Sequence, residues 1–137
     1  LPSFGQNHDA GRAIALKALA DFLDRATGAL TAGVPLSEQL SWAPKEESAK
    51  RYLDGTHGPD DLAMLEGEAE ETGETLEELA QRVLAKADAN RRAVSKLTGI
   101  RRKAEADIHA SNNRDTAQSV LDTAKAQWYQ FISQLGA

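Results

Sequence analysis

The chain has no cysteine. That excludes disulfides and thiolate metal sites, and it leaves the redox compartment unread. No apolar run approaches the roughly 18–20 residues that a helix needs to cross a bilayer, so a membrane is not expected among its partners. The opening LPSFGQNHDAGR lacks the basic-then-apolar pattern of a secretory signal. It starts with Leu rather than Met, as expected of a fragment, a processed product or the ordered part of something longer. Aromatic residues are few: two Trp, two Tyr and three Phe in 137 residues. Val, Ile and Thr are sparse beside Ala and Leu, a balance that favours helices over sheets.

Motifs that carry chemistry are missing as well. There is no GxSxG, no P-loop and no GxGxxG. His8, His57 and His109 are far apart in the chain. Asp107 is close to His109, but two residues apart on a helix point to different faces. The acidic run Glu66, Glu68, Glu70, Glu71, Glu74, Glu77 and Glu78 lacks the Asp-x-Asp-x-Asp-Gly spacing that wraps calcium. These gaps predict a protein that is not an enzyme and takes no metal or cofactor, and nothing in the pattern points to a small-molecule ligand.

What is present is a chain of single-domain length with a marked charge asymmetry. The net charge is −5 and the isoelectric point about 5.2. A mildly acidic domain argues against nucleic acid as a partner, since such binding usually needs a basic face. Yet the acids and bases are segregated. From Asp60 to Glu78 there are nine acidic residues and no basic one; from Arg82 to Lys103 there are eight basic residues and one acid, Asp88. The plain reading of the acids is a solvated helix face. For the bases, Arg91, Arg92, Arg101, Arg102 and Lys103 are the candidates for an electrostatic contact. They have no interleaved aromatics, so pairing with the acidic segment, within a chain or between copies, competes with nucleic acid.

Periodicity predicts five helices. Residues 1–9, with Pro2, Gly5 and Asn7, read as a flexible lead-in. A first helix over about 9–31 carries Ala13, Leu16, Ala20, Leu23, Thr27 and Leu30 at three- and four-residue steps, widened by Ile14, Leu19, Phe22 and Ala26. Asp9 is a candidate cap. A short helix starts near 37 or 43 and runs to 54, with Pro44 suited to its first turn and Trp42 folding back on it like a staple. Glu46–Lys50 and Glu47–Arg51 are its expected ion pairs, and Ala49, Tyr52 and Leu53 its inner side. DGTHGPDD breaks the chain, and Pro59 opens a third helix to about 72. Thr75-Leu-Glu-Glu78 is a capping box for a long fourth helix to about 111, with one heptad-like stripe through Leu76, Leu79, Val83, Ala87, Asn90, Val94, Leu97, Arg101, Ala104 and Ile108. A last helix covers about 113–135, with Val120, Leu121, Ala124, Trp128, Phe131, Ile132 and Leu135 on one face.

The architecture expected from this pattern is all-α. A long antiparallel helical hairpin domain spans 10–111, capped by the two short helices. An amphipathic C-terminal helix over 112–137 packs on it or docks on a partner. Trp128-Tyr129 with Phe131-Ile132 is the dense apolar cluster of that last helix, and Trp128, Phe131, Ile132 and Leu135 are its candidate anchors for a partner. Core packing is the plain reading of the cluster, and a docking surface for a partner or a second copy is the sharper one.

Two stretches carry a resemblance. LSWAPKEESAKRYLDG and, beyond a Pro-containing loop, LAMLEGEAEETGETLEELAQRVLAKADANRRAVSKLTGIRRKAEADI are similar to a helical domain of tailed-phage and prophage tail proteins. The matching positions are Trp42, Glu46, Ala49, Tyr52, Leu62, Leu65, Gly73, Leu76, Leu79, Val83 and Lys86-Ala-Asp-Ala89. Gly99, Arg101, Glu105 and Ile108 fit its closing segment. The likeness covers about residues 10–110. It implies a non-enzymatic tail component or tail-fibre assembly factor, in the virion or in the host cytoplasm during assembly. Its partners would be other tail proteins or copies of itself. A transient assembly chaperone absent from the virion is the nearest alternative, and a nucleic-acid-binding helical module the next. The resemblance supplies no catalytic residues.

Overall fold

The Ala- and Leu-rich composition resolves into five helices, with no strand among the described residues. In this computed structural model residues 4–135 are described. The helices are α1 (Phe4–Leu30), α2 (Leu36–Asp54), α3 (Pro59–Thr72), α4 (Leu76–His109) and α5 (Arg114–Leu135). The chain is all-α, as expected. None of these helices is long and apolar enough to cross a membrane.

The breaks are made by the residues that local chemistry demands. Gly55 ends α2 and Gly73 ends α3, each in the left-handed conformation (φ 76° and 77°) that L side chains rarely adopt. At the start of α4 the capping box forms in both directions. The Glu78 N–H donates to Thr75 Oγ1 at 3.0 Å, and the Thr75 N–H donates to Glu78 Oε1 at 3.4 Å. Asn113 caps α5, its Oδ1 accepting from the Thr116 N–H at 2.8 Å.

Two starts differ from expectation. α1 begins at Phe4, upstream of Asp9, so the lead-in read over residues 1–9 is helical from its fourth residue; residues 1–3 lie outside the described part. Asp9 is inside the helix and, rather than capping it, pairs with Arg12 at 3.2 Å. α2 takes its longer form from Leu36, so Trp42 and Pro44 are interior residues and not a staple and a first turn. Pro44 has no N–H to donate to the Leu40 carbonyl, which normally weakens a helix interior.

The chain forms two compact units. One comprises residues 1–30 and 92–137, the other residues 31–91, and α4 contributes to both. In the first unit Ala15, Leu19, Phe22 and Ala26 of α1 meet Ala93, Leu97, Ile100, Ala104 and Ile108 of α4 and Ala117, Leu121, Ala124 and Trp128 of α5. Gly11 lies against Arg114 and Phe22 against Tyr129, so α1 and α5 run side by side in the same direction. The Arg12 guanidinium donates to the Ser111 carbonyl from Nε (3.2 Å) and Nη2 (2.8 Å), placing a cation just beyond the α4 C-terminus, where the helix dipole favours it. In the second unit Leu65 and Ala69 of α3 pack with Leu79 of α4, flanked by Tyr52, Leu76 and Val83.

These cores shift two of the expected stripes. On α1 the outer line Leu19, Phe22 and Ala26 is buried, while Ala13, Ala20 and Thr27 face solvent. On α4 the heptad line keeps Leu97, Ala104 and Ile108 in the core but fails at Val94, which is 51% exposed, and at Arg101, which is exposed; Ala93 and the flanking Ile100 are buried beside them. One helix serves two separate cores, so its buried line need not keep one heptad register throughout.

Candidate interaction surfaces

Polar side chains hold α2 to α3 through one buried carboxylate. Asp61 Oδ1 accepts from Ser48 Oγ (3.0 Å) and from Arg51 Nη2 (2.7 Å) and Nε (3.0 Å); Oδ2 accepts from Arg51 Nε and from the Gly58 N–H, both at 3.0 Å. The Arg51 guanidinium, then the Gly58 amide and the Ser48 hydroxyl, hold the Asp61 carboxyl far below the usual carboxylate range. Arg51 therefore serves Asp61 rather than the expected Glu47. Glu46 has its predicted partner Lys50 (3.5 Å) and is also paired with Arg91, whose hydrogen bond lowers its pKa. Lys45–Glu68 (2.7 Å) is a second link between α2 and α3.

The direction of these shifts sets an acid response. Both carboxylates have depressed folded-state values, so their contribution is complete above the unfolded carboxyl range and is lost as the pH falls below it, from about 4 downward. Asp61→Asn is expected to lower the midpoint of unfolding of the 31–91 unit at neutral pH and to flatten its acid limb. Thermal melts followed by circular dichroism between neutral and acid pH read both effects; an unchanged acid limb would mean that other carboxyls govern it.

Part of this cluster is legible in the sequence. Gly-Pro-Asp-Asp before an apolar run marks a helix start with an acid in its third helical position. Nothing in the pattern marks Ser48, a small polar residue in a charged helix, as its buried partner.

The C-terminal cluster divides. Trp128 is 4% exposed and belongs to the core, with Phe131 stacked on it at 5.7 Å between ring centroids. Phe131 is half-buried and lies under the Lys96 ammonium, 5.9 Å from the ring centre. Ile132 and Leu135 are each 38% exposed, and Tyr129 is 63% exposed. Tyr129 and Ile132 are three residues apart and so share one flank of α5. Core packing thus accounts for Trp128, and solvent reaches Tyr129, Ile132 and Leu135.

The basic candidates separate in a similar way. Arg91 is committed to Glu46, Arg101 to Glu105 (3.5 Å) and Lys103 to Asp107 (3.1 Å). Arg92 and Arg102 are exposed, and Arg92 too has an interaction within the chain. Segregated charge is satisfied within the chain only in part: Asp61, Glu68 and Glu74 pair with Arg51, Lys45 and Arg82.

A shallow groove of about 190 Å³ lies along the α4–α5 seam; Ala104, Val120 and Ala124 form its apolar floor, and Lys103, Asp107, Thr116, Ser119, Thr123 and Gln127 its polar edges. Its volume is below the roughly 300–1,000 Å³ of sites that enclose a drug-sized ligand. Among the described residues no group of three or more His, Asp or Glu is placed to hold a metal ion.

No protein-family model, curated protein or solved structure matches this chain.

Proposed function

We propose that the chain is a non-enzymatic tail component or tail-fibre assembly factor of a tailed phage. It acts by burying helix faces on another tail protein or on a second copy. The resemblance through Trp42, Ala49, Tyr52, Leu65, Gly73, Leu76, Leu79 and Val83 supports the phage setting. Several of those positions are structural: Leu65 and Leu79 are fully buried, Tyr52, Leu76 and Val83 pack on them, and Gly73 makes the left-handed turn. In this reading α1 and α4 form a helical hairpin as scaffold, and the protein works in the virion tail or in the host cytoplasm during assembly.

The observation that carries the contact mechanism is the exposed apolar flank of Tyr129, Ile132 and Leu135 on α5, beside a core that already buries Trp128. A nucleic-acid-binding reading has less support, because Arg91, Arg101 and Lys103 each face a carboxylate of their own chain.

Mass spectrometry of purified particles and of the infected-cell lysate tests the proposal. Recovery from particles makes the protein a virion component, and recovery only from lysate complexes with tail proteins makes it an assembly factor. Absence from both would overturn the phage assignment.

A further inference from the structure

We infer that copies of this chain associate head to tail, the acidic outer face of α3 in one copy seating on the basic rim of the α4–α5 groove in the next. The inference rests on the helix-face reading above and names the partner as a second copy.

Charge complementarity carries it. The unit of residues 1–30 and 92–137 holds ten basic and seven acidic residues, a net of +3; the unit of residues 31–91 holds six basic and fourteen acidic residues, a net of −8. Within the acidic unit, α3 has no basic residue at all. Its inward acids are used: Asp61 and Glu68 are held by Arg51 and Lys45. Glu66, Glu70 and Glu71 are exposed and make no ion pair among the described residues. Glu66 and Glu70 are one turn apart and share a flank. Between the acids the surface is low, with Ala63 exposed and open space over Gly67, so another backbone can approach closely.

The receiving surface has the opposite character. Lys96 and Lys103 are seven residues apart, so they share one edge of α4. Lys103 lines the groove, and its pairing with Asp107 is an exposed i,i+4 contact of small energy that can be exchanged. On the other wall Thr116, Ser119, Thr123 and Gln127 offer hydroxyl and amide donors to carboxylates. No lining residue comes from α1, so the groove is a helix–helix seam that α1 leaves uncovered. A helix with Glu66 and Glu70 on one flank meets Lys103 on one wall, with Lys96 further along the same edge of α4, and hydroxyl and amide donors on the other wall. The two surfaces are different patches of one molecule, so each copy both offers an acidic face and receives one.

The test uses the full chain and charge reversal. Wild-type protein in sedimentation velocity should gain mass with concentration in low salt and return to the 14.8 kDa monomer in high salt, as the screening length falls from about 30 Å at 0.01 M to about 3 Å at 1 M. Lys96→Glu/Lys103→Glu and Glu66→Lys/Glu70→Lys should each stay monomeric, with circular dichroism confirming their helix content. Mixed in equal amounts, the two variants should restore association, since each then carries what the other lacks. A wild type that is monomeric at every concentration in low salt overturns the inference. Association that persists in high salt and in both variants, but is lost in Tyr129→Ala/Ile132→Ala, also overturns it in favour of an apolar contact. Neither failure touches the particle mass spectrometry, which tests the phage assignment separately.

Discussion

Replacing Trp128 with alanine is expected to destabilise the unit of α1, α4 and α5 by about 3–5 kcal/mol, the cost of emptying a large aromatic site in a packed core. The side chain is 4% exposed, stacks on Phe131 and shares its core with Phe22, Leu97 and Leu121. Urea unfolding at neutral pH measures the loss. Tyr129→Ala and Ile132→Ala, on the exposed flank of the same helix, should each change stability by no more than about 1 kcal/mol. The comparison separates two roles that adjacent residues would otherwise confuse. A Trp128 variant that loses a partner does so through unfolding; a Tyr129 or Ile132 variant that loses one has lost the contact itself. If Trp128→Ala unfolds at the same urea concentration as the wild type, the side chain does not support the core and the docking reading of Trp128 stands.

Leu79→Ala is expected to act as strongly on a smaller core. Leu79 and Leu65 are fully buried, and with Ala69 they are the buried centre of the 31–91 unit. Leu-to-Ala changes at such sites cost about 2–5 kcal/mol, a large share of the total of about 5–15 kcal/mol that a whole domain has. The expected result is loss of amide protection across α2 and α3 while α1 and α5 keep theirs, read by hydrogen exchange. The polar links from Asp61 and Glu68 then have to hold α2 and α3 with little apolar support, and links of that kind need a packed background to be geometrically fixed. Uniform loss of protection over all five helices would instead show that the two units unfold as one.

Much of the fold was legible because helix boundaries are written in local chemistry. Pro59, Gly73, the Thr75–Glu78 box and Asn113 mark ends that the structure keeps within a residue or two. The long α4 was legible as a helix but not as a helix with two jobs. Its heptad line reads as one seam, and only the three-dimensional arrangement shows that Leu76, Leu79 and Val83 serve one core while Ala93 through Ile108 serve another. Alanine caused most of the remaining error. Ala13, Ala15, Ala20 and Ala26 are equal in sequence, and which of them is buried depends on the neighbouring helix. Of the candidate surfaces, the apolar cluster on α5 was visible as a cluster, but its division between core and solvent was not. The α4–α5 groove had no sequence signal, because Thr116, Ser119 and Thr123 look like ordinary surface residues until Lys103 is seen opposite them.

The interleaving of the two units has a consequence for synthesis. Residues 31–91 are contiguous, so α2, α3 and the start of α4 emerge together and have all their core residues within reach as soon as Val83 has left the ribosome. α1 is made earlier yet must wait longer, because Leu19 and Phe22 find their partners on Leu121 and Trp128, about a hundred residues on. Of the five helices, α1 is therefore the one that stays open longest, its apolar face available to chaperones or to neighbouring nascent chains until α5 arrives.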